Sequence, residues 1–385
     1  LNVLYDVGSR DEDPNKTGFA HLFEHLMFGG SKNILAYDEP LQKVGGENNA
    51  FTSPDLTNYY ISIPSNNLET AFWLESDRML SLSFDPKILE IQRKVVIEEF
   101  KQRYLNQPYG DAWLKLRPLA YKKHPYQWAT IGKEISHIEN ATMDDVKEFF
   151  FKFYVPNNAI LVVAGDVKLD QVKKLTEKWF GPIPKGAALN RNLSKEPQQT
   201  QKRTLSHDAN VPVNSIYSVY HMPERLSPEY YAADFLSEIL GRGKASKLYS
   251  SLIQDKRYLS GVSAHITGSI DPGLLVINGK LNTDISFDLL EDEISKIIEN
   301  VQHEPISDFD LEKLRNLGES SHIFGEMELL NKAYNLAYFT LLGDTNMINE
   351  EVDKIRAVTA DEIMKVAVDI LKEENSSTLY YNAKQ

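Results

Sequence analysis

The chain has 385 residues, 42% hydrophobic and 25% charged, with a net charge of −13, which describes an ordinary globular protein long enough for two domains of somewhat under ~200 residues. The negative balance argues against nucleic acid as a partner, because phosphate binding needs a concentrated basic face, and it suits a neutral or basic peptide better. The absence of cysteine excludes thiol catalysis, iron–sulfur clusters, thiolate zinc sites and disulfides, and no run of 18 apolar residues is present to span a membrane.

LNVLYDVGS, from Leu1 to Ser9, alternates like a strand. Because the chain opens there without Met, an upstream piece is expected to have been processed or trimmed away. A polar loop with Pro14 then leads into Gly18–Gly30, GFAHLFEHLMFGG. This apolar helical stretch puts His21 and His25 at i and i+4, about 6 Å apart on one face, with Glu24 beside them. Two neutral imidazoles can grip one metal ion while the carboxylate reaches a water on it. Phe19, Leu22, Phe23, Leu26, Met27 and Phe28 bury the helix on most sides, where three ionisable groups would be costly without a partner.

Further on, the pattern predicts a short helix at Tyr37–Val44, closed by Gly45 and Gly46, and a hairpin of Asn49–Ser53 with Asn58–Ile63 around Pro54 and Asp55. A long helix follows over NLETAFWLESDRMLSL, and another from Pro86 to about Tyr104. In that last helix the apolar face is assigned to Ile88, Ile91 and Val95, with Gln92 and Glu99 inside its span and Glu98 near its edge. Glu99 is therefore the expected third metal ligand, completing a His, His, Glu set. His124, before Pro125 in an aromatic turn, reads as structural. Thr142 starts a helix, NNAILVVAGDV is expected to be a central buried strand, and residues 187–203 read as a polar linker between domains 1–186 and 204–385.

The second half repeats the first. ISHIENATMDDVKEFF from Ile135 is echoed by VDKIRAVTADEIMKVA from Val352 at a constant offset of 217 residues, and each is followed by a β-rich run. SIYSVYHMP stands where LNVLYDVGS stood, and AADFLSEIL replaces the histidine helix without a histidine, so one metal site per chain is expected. GRGKAS at Gly241 lacks phosphate-loop spacing and reads as a helix-ending turn. The expected fold is α+β, an α/β sandwich of two duplicated domains, each a mostly antiparallel sheet with helices packed on one side.

HLFEH, Glu99 in VVIEEF, the run GGENNAFTSPDLTNYY and the HPY of KKHPYQW together resemble the pitrilysin, insulin-degrading enzyme and mitochondrial processing peptidase family of inverted-zincin metallopeptidases. The resemblance implies one Zn2+ held by His21, His25 and Glu99, with Glu24 as general base for hydrolysis of peptides in a closed chamber. It also implies that Asn49, Ala50 and Phe51 form an edge strand that pairs with substrate backbone. Gln92 departs from the pattern, standing where many members have a second glutamate that supports the site. The family's second domain supplies an arginine and, seven residues on, a tyrosine; here those positions carry Ile253 and Ser260. This implies a partner, a homologous zinc-less subunit supplying that pair in a heterodimer, with a homodimer as the alternative. The length is like that of the short bacterial and mitochondrial members that work as two subunits; a soluble protein of bacterial cytoplasm or periplasm is the expectation, and the residues themselves do not read out the compartment. A non-catalytic assembly subunit of the same fold is the competing reading, and the intact motif favours the enzyme.

Overall fold

The computed structural model describes residues 1–384. Its contacts divide the chain into two compact units. The first comprises Leu1–Gln102, Trp128–Ser194 and Ile323–Asn349, and the second comprises Arg103–Gln127, Lys195–His322 and Glu350–Gln385. The units are thus not the two contiguous halves 1–186 and 204–385. Each includes a segment from the other half of the sequence.

In the first unit, strands β1 (Asn2–Tyr5), β2 (Glu47–Thr52), β3 (Thr57–Ser62) and β4 (Ala159–Val162) form an antiparallel sheet in the order β2-β3-β1-β4. Alternation along β1 sorts the two faces. Tyr5 points towards Tyr59 and Tyr154, whereas Leu4 joins Leu56, Ile160 and Val162 under Ala337 and Tyr334 of the helix Leu329–Leu341. The first face carries α1 (Phe19–Leu26), α2 (Asp38–Lys43), α3 (Leu68–Leu80), α4 (Pro86–Phe100) and the helix Met143–Phe153. Phe23 of α1 packs on Phe149 and Tyr154 with ring centroids 4.8 and 5.1 Å apart.

In the second unit, β5 (Arg203–Ala209), β6 (Ser215–His221), β7 (Leu259–Ile266), β8 (Leu274–Leu281) and β9 (Ser376–Ala383) are ordered β5-β9-β6-β8-β7. Read from the other end, β7-β8-β6-β9 repeats β2-β3-β1-β4, so the duplication seen in the sequence is also a duplication of topology. β5 is an addition that runs parallel to β9. One sheet face is covered by the helices Tyr230–Gly241, Phe287–His303 and Ala360–Ile370, and the other by α5 (Ala112–Ala120), whose Leu116 meets Val219, Val276 and Leu379. Capping boxes start the matching helices of the two repeats: Thr142 with Asp145, and Thr359 with Glu362.

Several expectations are corrected. Both sheets carry a helix on the second face as well as the first, so the packing is not one-sided. β4 lies at the edge of its sheet among the described residues and is half-buried throughout, not central. Segment 187–202 has no helix or strand, yet it is fixed in place. Arg191 reaches Asp6 and Asp11 at 2.9 and 2.6 Å, Glu196 accepts the backbone N–H groups of Lys122, Lys123 and His124, and Gln199 bonds to Ser376. Helix α4 ends at Phe100 and opens into a wider π-type turn at Lys101–Leu105.

Among the described residues of the first unit, the most deeply buried ion pair joins Arg78 and Glu75. Arg78, 1% exposed, makes a forked contact with Glu75, which is 0% exposed and also accepts from the Tyr37 hydroxyl at 2.8 Å. The guanidinium lies 4.4 Å from the Tyr59 ring centroid, 4.7 Å from Tyr37 and 5.4 Å from Phe28. Removing one partner strands the other charge, so Arg78→Met should cost about 3–5 kcal/mol, while Glu75→Leu with Arg78→Met should recover most of that. Chemical denaturation of both variants checks this. Equal losses would show that charge pairing is not what the network contributes.

Candidate metal centre

Helix α1 starts at an N-cap glycine, Gly18, in the left-handed conformation with φ +89°. Leu22, Phe23 and Ala20 are fully buried, which orients the helix and turns His21, Glu24 and His25 to its half-buried side. Helix α4 crosses it and presents Glu99. The apolar stripe of α4 is not the one expected: Leu89, Val96 and Phe100 are buried, whereas Ile91 and Val95 are 56% and 44% exposed. At about 100° per residue Glu99 and Gln92 then fall on one shoulder of the buried stripe rather than within it. That shoulder is the side that meets α1. Glu98, by contrast, is 59% exposed and bonds to Lys101.

These two helices bring Nε2 of His21 and Nε2 of His25 to 3.7 and 3.5 Å from Oε2 of Glu99. One ligand atom from each of the three residues lies within 4.8 Å of the others, and no other such trio occurs among the described residues. Ligands about 2.0–2.1 Å from a tetrahedral zinc ion are about 3.4 Å from one another, so the donor set fits this metal in both chemistry and spacing. The side chains of His21, His25 and Glu99 are 13%, 23% and 17% exposed, which leaves one side open.

Glu24 is also half-buried, and its Oε2 accepts a 2.5 Å hydrogen bond from the Thr52 hydroxyl at the end of β2. Thr52 was not singled out from the sequence, although its alternation with Ala50 along β2 could have placed it on the α1 side. Behind Glu24 the buried hydroxyls of Tyr59 and Tyr154 lie 3.2 Å apart. Burial pushes both phenols well above their ordinary range, and the Glu24 carboxylate adds to that, so they remain protonated.

Among the described residues strand β2 is an edge strand, paired to β3 alone. Asn49 and Phe51 are exposed and Ala50 is half-buried between them. The Ala50 N–H is met by Oδ1 of Asn49 at 2.8 Å, and the Phe51 ring packs on Tyr334 on the sheet face away from α1. Gln92 stands half-buried two turns before Glu99. His124 is not part of this cluster: its Nδ1 accepts the Tyr126 N–H and its Nε2 lies 3.3 Å from Asp271, locking an aromatic turn in the second unit. Ile253 is half-buried against the core of that unit, and Ser260 is exposed at an irregularity of β7.

A family model described as "Insulinase (Peptidase family M16)" matches residues 1–127, and one described as "Peptidase M16 inactive domain" matches residues 140–317. The zinc protease PqqE of Helicobacter pylori is 31% identical over 99% of this chain and 86% of that protein. The chain belongs to peptidase family M16. An uncharacterized zinc protease of Bacillus subtilis, YmxG, is 25% identical over 98% of this chain and 92% of its own length. The crystal structure of a protease from Helicobacter pylori superposes with a TM-score of 0.94 at 30% identity, covering 99% of this chain and 92% of that one. As an M16 chain it has relatives named zinc proteases, and its two duplicated units have the two-domain M16 fold.

If Glu99 is a ligand, Glu99→Ala should weaken zinc binding by more than about a hundredfold, whereas Glu98→Ala should leave it near the unmutated value. Chelator competition on each purified variant measures the difference. Equal zinc retention in the two would remove Glu99 from the site.

Proposed function

We propose that this chain is a zinc-dependent endopeptidase acting on peptides or unfolded polypeptides, with His21, His25 and Glu99 holding the metal and Glu24 as general base. The observation that carries the proposal is the convergence of the three ligand atoms beside Glu24. All four residues fall in the stretch that matches the peptidase model, while the match to the inactive-domain model begins only at residue 140.

A bound zinc ion would supply Lewis acidity, polarising a peptide carbonyl and acidifying a water molecule. Glu24 removes the proton from the attacking water and returns it to the leaving amine. Thr52, donating to Oε2 of Glu24, steadies the carboxylate that takes the proton. The free edge of β2 receives the peptide as an added strand, with backbone pairing giving affinity and little sequence preference. In this reading the Ala50 N–H exchanges the Asn49 side chain for a substrate carbonyl. Gln92, neutral where a carboxylate would strengthen the field around the metal, tunes the site without serving as a ligand.

The reading extends to a partner. Ile253 and Ser260 cannot supply a cationic and hydrogen-bonding hold on substrate, a contribution of about several kcal/mol at a developing oxyanion. A homologous subunit lacking the zinc motif would supply it, the two chains enclosing the peptide in a chamber, with a second copy of this chain as the alternative.

Glu24→Gln should keep zinc and lose about a hundred- to ten-thousandfold in peptide hydrolysis, read from cleavage of a mixed peptide library by mass spectrometry alongside zinc content. Cleavage at the unmutated rate would refute the mechanism. The isolated chain should cleave slowly and be stimulated when a zinc-less paralogue from the same source is added. Full activity alone, with no stimulation, would remove the partner subunit.

A further inference from the structure

The first turn of α1 is held by a carboxylate from outside the helix. The N-cap residue, Gly18, has no side chain with which to cap, and none fits: a Cβ there would lie 2.7 Å from the Ile131 carbonyl oxygen and 2.8 Å from Cδ1 of Ile138. The N–H groups that a helix start leaves without intrahelical partners need another acceptor. Glu12 provides it. Its Oε2 accepts the Gly18 N–H at 3.0 Å and its Oε1 accepts the Ala20 N–H at 2.9 Å. The indole N–H of Trp128 also donates to Oε2 at 2.9 Å, sharing itself with the Ser9 carbonyl at the same distance.

Glu12 is 6% exposed and Trp128 2%. Burial pushes the Glu12 carboxyl up to about 8, against the pull of its three N–H donors. An ordinary helix start is capped by an exposed Ser, Thr or Asp at no such cost, as Thr142 and Thr359 do in this chain. The helix Tyr230–Gly241, which takes the place of α1 in the repeat without histidines, has an N-cap residue, Glu229, that makes no side-chain capping bond. The costly arrangement therefore goes with the repeat that carries the histidines.

Ala20 immediately precedes His21. Every residue of a helix advances about 100° around its axis, so the rotation of this first turn sets the direction in which His21, Glu24 and His25 point. We propose that Glu12 is a positioning residue for the metal centre, fixing the rotation and axial placement of α1 so that the two imidazoles face Glu99. The proposal rests on the reading of His21, His25 and Glu99 as metal ligands. Trp128 acts through Glu12, anchoring the carboxyl at Oε2.

The test uses the full chain. Glu12→Gln keeps the shape but replaces one acceptor oxygen with an NH2 donor facing an N–H; Trp128→Phe keeps Glu12 and removes one anchor. Zinc dissociation constants come from chelator competition, and thermal midpoints are recorded without metal. Glu12→Gln should fold and bind zinc about tenfold or more weakly, and Trp128→Phe should shift affinity in the same direction by less. Unchanged zinc affinity in Glu12→Gln, even with a lower midpoint, would make Glu12 a structural cap only and overturn the proposal. Should Glu12→Gln not fold, unchanged affinity in Trp128→Phe would overturn it. His21→Ala serves as the control for the ligand reading: if it kept the unmutated zinc affinity, that reading would fail and the proposal with it, whatever the Glu12 variant does.

Discussion

A guanidinium shut away from water fixes the floor beneath α1. Arg78 is tolerable there only because Glu75 neutralises it and three aromatic faces, Phe28, Tyr37 and Tyr59, take the place of solvent. Phe28 belongs to the turn that ends α1, and Tyr59 carries its hydroxyl to Tyr154, on which Phe23 stacks. The tail of the histidine helix is thereby located by buried polar pairing, its middle by aromatic packing and its start by hydrogen bonds. None of these contacts needs a metal ion. His21, His25 and Glu99 are gathered by the scaffold itself, the condition under which a site binds without spending its affinity on folding.

The duplicated architecture shows the same scaffold in two chemical states. In the first unit, α1 and α4 meet through imidazole and carboxylate. In the second, the helices Tyr230–Gly241 and Asp308–Gly325 meet through Phe235 and Gly318, where a Cβ on the glycine would sit 3.7 Å from the phenyl ring and 2.9 Å from Ile355. Close apolar packing there leaves no room for a ligand set. The match of residues 140–317 to an inactive-domain model agrees with that description. Helix, hairpin and sheet order are kept, while among the described residues the histidine–carboxylate cluster occurs in one copy.

How much of this could be read from the residues depended on range. The His21, Glu24, His25 trio is local, and helix periodicity alone places it on one face. The duplication was legible because capping boxes and apolar spacing recur at a constant interval. Glu99 follows from the sequence only through a stripe that the structure does not have: Ile91 and Val95 are apolar yet solvent-facing, and composition cannot say which of two apolar stripes on α4 a neighbour will cover. Glu12 was invisible for a different reason. Its role is to accept hydrogen bonds across a loop and from Trp128, more than a hundred residues away, and nothing local distinguishes it from the other acids of the Asp11–Asp13 turn. The extra helix on each sheet's second face was equally hidden, since an amphipathic segment does not announce which sheet it will cover.

Those two helices give the chain a property that the order of its halves conceals. Residues 103–127 come from the first half yet belong to the second unit, and residues 323–349 come from the second half yet belong to the first. Leu116 and its neighbours close one sheet; Tyr334 and Ala337 close the other. A cut near residue 190 would therefore not release two finished domains. Each fragment would carry the cover meant for its sibling and lack its own, leaving a bare strand face and an orphaned apolar helix.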